Sequence, residues 1–223
     1  FDAEKVGPEL RRLFEVAQRV AESTRNTVTM VFHGGVANGE PHRRSLDEAR
    51  ASGKAFMQWV GRLVENEMPD VRVFAEVQLP HDAEDNGLVR IGDTWDGCLE
   101  LIDGTSVDAC WDFGHSWRSV ILGKHTETPP ERFLRRVGHV HLHDAHQAGG
   151  VFRDHLPPGE GSGMWRRYLA LLVRRGYDGR VLFELGYNSL EDAVQIVELC
   201  LMEATDVIAS VEAPRVAGGK AVD

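Results

Sequence analysis

Five short apolar runs in this 223-residue chain, at 28–33, 71–76, 107–112, 137–141 and 181–184, each end in an acid or a histidine: His33, Glu76, Asp112, His141 and Glu184. Each is strand-length, and helix-period stretches alternate with them at 8–22, 46–65, 94–102, 130–136, 165–175 and 190–210. Strands alternating with helices imply a parallel sheet with right-handed crossovers, either an open doubly wound sheet or a closed barrel. An open sheet gathers its ligand at one switch point, usually behind a glycine-rich phosphate loop, and neither G-x-G-x-x-G nor a Walker sequence occurs. A polar group at every strand end instead calls for a ring of strands, the α/β parallel (β/α)8 TIM barrel.

The alternation within each run says which way those groups point. Val28, Met30 and Phe32 share one face of the first run, and the large apolar face is expected to meet helices, which leaves His33 inward. By the same count Glu76 opposes Val73, Ala75 and Val77, Asp112 opposes Trp111 and Phe113, and Glu184 opposes Phe183 and Leu185. In His139-Val140-His141-Leu142-His143, three imidazoles share one face.

The polar ends recur roughly every 38 residues, the length of one βα unit, and there are five of them. Eight units typically need ~250 residues, so the reading is one barrel domain over 1–213, its C-terminal five βα units, followed by a flexible tail at 214–223. On this reading the N-terminal strands are absent, and roughly 100 residues carrying three further strands are expected before Phe1.

Composition narrows the function classes. A net charge of −10 argues against holding a nucleic-acid backbone, and no apolar stretch approaches the ~18 residues of a membrane span. The expected partner is therefore a small molecule, with no nucleic acid and no membrane, and a homo-oligomer stays open. Cys98, Cys110 and Cys200 are odd in number and lack C-x-x-C spacing, so the sequence suggests neither a disulfide framework nor a thiolate metal site, and a cytoplasmic location is expected.

Glu76, Asp112, His141 and Glu184 make a set of three carboxylates and one imidazole, suited to one divalent ion among Mn, Mg, Co, Fe and Zn. Three carboxylates converging in a low-dielectric barrel mouth need such a cation or must take up protons. A single inward Glu is more often paired with Arg than with metal, but four such residues at matching points of successive units are hard to reconcile with unrelated ion pairs.

Around this set, Gly114 is expected to give a tight exit from the third run, returning His115 over the mouth as a metal ligand or substrate donor. The stretch 153–161 (RDHLPPGEG) is read as a substrate-covering loop with His155 or Arg153 reaching inward. His143 and Asp144 are expected either to orient a ligand imidazole or to bind substrate. His42, His81 and His125 sit in polar stretches and are read as solvated, as are Arg118 and Lys124, the candidates for a phosphate contact. Trp95 and Trp117 are read as core or as the wall of a sugar-binding mouth.

Six motifs in order, VFHGG (31–35), FAE (74–76), WDFGH (111–115), VHLHD (140–144), DHLPPGEG (154–161) and LFE (182–184), resemble the xylose-isomerase-like barrel superfamily. That superfamily includes sugar epimerases and isomerases, dehydratases and endonuclease IV, and the motifs match it from its fourth strand onward. The resemblance implies that Glu76, Asp112, His141 and Glu184 hold the metal, that Glu76 and Glu184 also act as acid and base, and that His115 and His155 contact substrate. Endonuclease IV uses those last two positions for additional zinc, together with an aspartate two residues before the second histidine. Arg153 stands there in this chain, which argues against a three-zinc nuclease.

The expected activity is a divalent-metal-dependent isomerase or epimerase acting on a ketose or polyol-derived ketone through an enediolate. The alternatives are a dehydratase of the same barrel family, a zinc phosphodiesterase using His33 as an extra ligand, and a non-catalytic sugar-binding barrel.

Overall fold

The computed structural model of the chain describes residues 1–38, 44–81, 88–187 and 189–212. His42 and the 214–223 tail lie outside these residues. In chain order the elements are α1 (Ala3–Thr24), β1 (Val28–Phe32), β2 (Val36–Ala37), α2 (Leu46–Glu67), β3 (Val71–Glu76), β4 (Val89–Arg90), α3 (Trp95–Ile102), β5 (Asp108–Asp112), α4 (Phe113–Ile121), α5 (Glu131–Leu134), β6 (Val137–Leu142), β7 (Asp144–Ala148), β8 (Val151–Leu156), α6 (Met164–Arg174), β9 (Arg180–Phe183) and α7 (Leu190–Glu212). The five apolar runs are the five strands of one sheet, in the order β1-β3-β5-β6-β9. The sheet is a curled part of a TIM barrel, with sequential neighbours parallel as right-handed βα crossovers require.

The chain divides into two compact units, one of residues 1–142 and 179–182, the other of 143–178 and 183–223. In the first, Phe32 stacks on Phe14 of α1 and meets Phe56 of α2 edge-on, so the large apolar face of β1 does turn toward helices. Trp111 of β5 likewise faces Phe133 and gives its indole N–H to Ser116 Oγ at 3.0 Å. In the second unit, Trp165, Tyr168 and Leu172 of α6 and Cys200 and Val207 of α7 are buried.

Helix starts follow the capping chemistry. Ser45 and Glu48 form a reciprocal capping box on α2, and Thr94 caps α3. Helix α1 starts at Ala3 rather than Pro8: the Asp2 side chain accepts from Glu4 N and Lys5 N, and Pro8 lies inside the helix.

Three elements depart from the sequence expectation. Gly114 does not form a tight turn; the chain passes straight from β5 into α4, because Asp112 caps that helix by accepting from His115 N at 2.7 Å. Residues 153–156, read as the start of a covering loop, belong to strand β8, paired antiparallel with β7. Gly149 and Gly150 both have positive φ, 57° and 82°, and so make the two-residue turn of that hairpin. Between Ala109 and Cys110 the β5–β6 register shifts, so that Gly138 is an extra residue and Cys110 pairs with His139.

Candidate metal centre

The site in the first unit is built at the C-terminal ends of β3, β5 and β6. Asp112 pairs in register with His141, and Glu76 ends the neighbouring strand. All three are buried, Asp112 completely. One donor atom from each of Glu76, Asp112 and His141 lies within 4.8 Å of the other two. His141 Nδ1 stands 3.7 Å from Glu76 Oε2 and 3.9 Å from Asp112 Oδ2. Donors each about 2.1 Å from a common ion stand roughly 3–4 Å apart, so the three fit one divalent cation.

Two histidines hold the carboxylates in place. His115 Nδ1 lies 3.2 Å from Glu76 Oε1 and 3.2 Å from the Val77 carbonyl, and 3.5 Å from Asp112 Oδ1. His33 is largely exposed, with Nε2 3.3 Å from Glu76 Oε2. Burial pushes the Glu76 carboxyl up, but hydrogen bonds from His115 and His33 outweigh it and leave the group below its ordinary value. Burial alone would keep His115 neutral; the charge of Asp112 and the bond and charge of Glu76 overrule it and raise the imidazole to about 9. The cap therefore divides the Asp112 carboxylate: Oδ1 is fixed by α4, while Oδ2 turns toward His141.

The remaining expected residues lie in the second unit. Glu184, immediately after β9, is partly exposed, with Oε1 3.7 Å from His155 Nε2. His155 has φ 53° and its Nδ1 is 3.1 Å from Asp154. Hydrogen bonds donated to Asp154 and Glu184 raise its imidazole to about 10, against the effect of burial. Its ring stacks on His143 at 4.4 Å, and its backbone N–H donates to His143 Nδ1 at 2.9 Å. Arg153 is exposed on β8 opposite His146.

Asp144 plays a part that sequence reasoning missed. Its two carboxylate oxygens accept from the backbone N–H groups of Ala145, Gly159, Gly161 and Gly163 at 2.9–3.1 Å. It thereby pins the 157–163 loop, while its backbone carbonyl lies 3.1 Å from His143 Nδ1. Gly161 is required there, since a Cβ would stand 2.5 Å from Asp144 Oδ1.

Four residues read as solvated are held by the fold. His125 stacks on Trp95 at 3.9 Å and its Nε2 accepts the Trp95 backbone N–H, which places Trp95 in the core. His81 and Lys124 share Asp93, and Arg118 is buried on α4. Trp117 is half-buried on the same helix.

The family profile described as "Xylose isomerase-like TIM barrel" matches residues 2–202. The chain belongs to that family. Among solved structures, this xylose isomerase-like barrel is similar to a D-tagatose 3-epimerase-like protein, at 21% identity and TM-score 0.62 over 91% of this chain and 72% of that one. It is also similar to 3-keto-D-glucoside 4-epimerase from E. coli, at 18% identity and TM-score 0.64 over 92% and 73%. Mannonate dehydratase from Streptococcus suis serotype 2 matches at 13% identity and TM-score 0.53 over 96% and 77%. No curated protein matches in sequence. No helix among the described residues is long and apolar enough to cross a membrane.

Proposed function

We propose that this barrel is a divalent-metal-dependent isomerase or epimerase of a ketose or polyol-derived ketone. The observation that carries the reading is the buried convergence of Glu76, Asp112 and His141. His115 offsets part of the repulsion between the two buried carboxylates, and a divalent ion would neutralise the rest and make use of the His141 imidazole. Bound there, the ion would act as a Lewis acid and template for a substrate carbonyl and its neighbouring hydroxyl. Two similar structures are of a D-tagatose 3-epimerase-like protein and a 3-keto-D-glucoside 4-epimerase, which is consistent with this chemistry.

The chain's own residues would then move the proton. By the family pattern Glu184 completes the metal set and removes the proton next to the carbonyl, giving an enediolate, and Glu76 returns a proton. Two separate carboxylates permit removal from one face and return to the other, which is what inversion requires. His115 and His155 are the proposed substrate donors, with His33 and Arg153 as outer contacts.

The test is solvent exchange: a panel of ketoses in deuterated water with Mn²⁺, followed by NMR. Loss of the α-proton signal is expected, with a product heavier only by the deuterium it has taken up, and Glu76→Gln or Glu184→Gln should stop it. Undiminished exchange in either variant would remove that residue from the mechanism, and loss of water from the product would replace isomerisation by dehydration.

A further inference from the structure

Two residue pairs deeper along β5 and β6 than Asp112 and His141, on the same face of the sheet, lies a second group of metal-binding type. Cys110, His139 and His141 each offer a ligand atom within 4.8 Å of the other two, and all three are buried. The register shift creates this group. Continued without a shift, the Ala109–Val137 pairing would set Gly138 against Cys110 and Val140 against Asp112; the extra residue instead sets His139 against Cys110 and His141 against Asp112. Only glycine fits at the extra position, because a Cβ on Gly138 would stand 2.5 Å from the ring of Phe74. Phe74 in turn stacks on His139 at 5.4 Å, and His139 meets His141 edge-on at 5.3 Å. His139 Nδ1 is buried with no hydrogen-bond partner among the described residues, an arrangement that ordinarily costs stability.

The other two cysteines show what an ordinary buried thiol looks like in this chain. Cys98 turns to the helix side of the sheet, where its thiol approaches the Ala75 carbonyl at 3.5 Å, and burial pushes it up to about 12. Cys200 lies on α7, and burial raises it to about 11. Neither belongs to a metal-binding group among the described residues. Cys110 differs in having two imidazoles as neighbours.

We propose that Cys110, His139 and His141 form a second metal site, selective for thiophilic divalent ions of the zinc and cadmium class. One thiolate with two imidazoles is a ligand set for such ions, unlike the oxygen-rich set above it, which also suits harder cations. On binding, the Cys110 thiol proton leaves to solvent, a sulfur–metal bond forms, and both imidazoles bind as neutral donors. His141 belongs to both groups, so the softer ion is drawn to the inner side of a residue that the outer site also uses.

The test is titration of the metal-free chain with Cd²⁺, read by the ultraviolet sulfur-to-cadmium charge-transfer band. In a Cys98→Ala/Cys200→Ala chain the band should persist and saturate at a single ion. His139→Gln should weaken that affinity by at least about tenfold, as removal of even an outer-shell partner commonly does. Cys110→Ser should abolish the band with circular dichroism unchanged. Glu76→Gln should keep it while stopping proton exchange, which separates this site from the proposed isomerase chemistry. Absence of the band in the double variant, or affinity unchanged by His139→Gln, overturns the proposal, and the second readout holds even if Cys110→Ser fails to fold.

Discussion

Glu76 and Glu184 stand at matching points, each closing a barrel strand, yet their surroundings are opposite. Glu76 is 4% exposed and held by two histidines, with Asp112 and His141 beside it. Glu184 keeps a side chain 39% exposed and stands 3.7 Å from His155 of the β7–β8 hairpin. The contrast bears on how the two proposed metal and acid–base residues would share those duties. A buried carboxylate with fixed partners holds a cation in place, whereas a carboxylate in contact with water can accept and release a proton without unfolding its surroundings.

Substitution tests this contrast most strongly. Glu184→Gln is expected to lower proton exchange by about 10²–10⁴-fold with little change in melting temperature. Glu76→Gln should lower exchange as far and weaken metal binding more than Glu184→Gln does, seen by calorimetric titration with Mn²⁺. Equal effects of both variants on metal affinity would erase the distinction. Next in size is Asp144→Ala, which leaves four backbone donors without their acceptor and should cost at least about 1–3 kcal/mol in denaturant unfolding. Metal binding by the first unit should survive that change. Gly138→Ala should cost about 1–3 kcal/mol by overpacking against Phe74, and should disturb the His139 and His141 proton resonances together.

The smallest effect is a pH dependence in the first unit. Burial lowers His125 to about 4, with the charge of Lys124 adding to it and Asp93 and Asp96 opposing. Unfolded, the same imidazole titrates near ~6.5 and so binds more protons than the native one between those values. Stability from His125 is therefore complete above about 6.5 and is lost as the pH falls toward 4. Its Nε2 accepts a backbone N–H, which requires the neutral ring. His125→Gln should flatten the unfolding free energy across that window, measured by urea titration at several pH values.

Strand ends and inward faces were legible in the sequence because period-2 alternation and a terminal acid or histidine are local signals. The register was not. Gly138 looks like any strand glycine until Phe74, 64 residues earlier, is seen lying against it. Asp112 was legible as an inward strand-end carboxylate but not as a helix cap, since Gly114 directly after it reads as a turn. The β7–β8 hairpin carried a signal, Gly149-Gly150 ahead of Val151-Phe152, that the charged residues after it obscured. His125 and Arg118 read as surface because polarity is local and burial is not.

The four amide donors gathered on Asp144 form a small anion cradle of the kind that glycine-rich loops offer to phosphates, with a carboxylate from the same chain in the phosphate's place. The loop is thus self-liganded. Its amides should exchange with solvent slowly for so glycine-rich a segment, and a phosphorylated sugar would have to find its counter-charge elsewhere on the barrel.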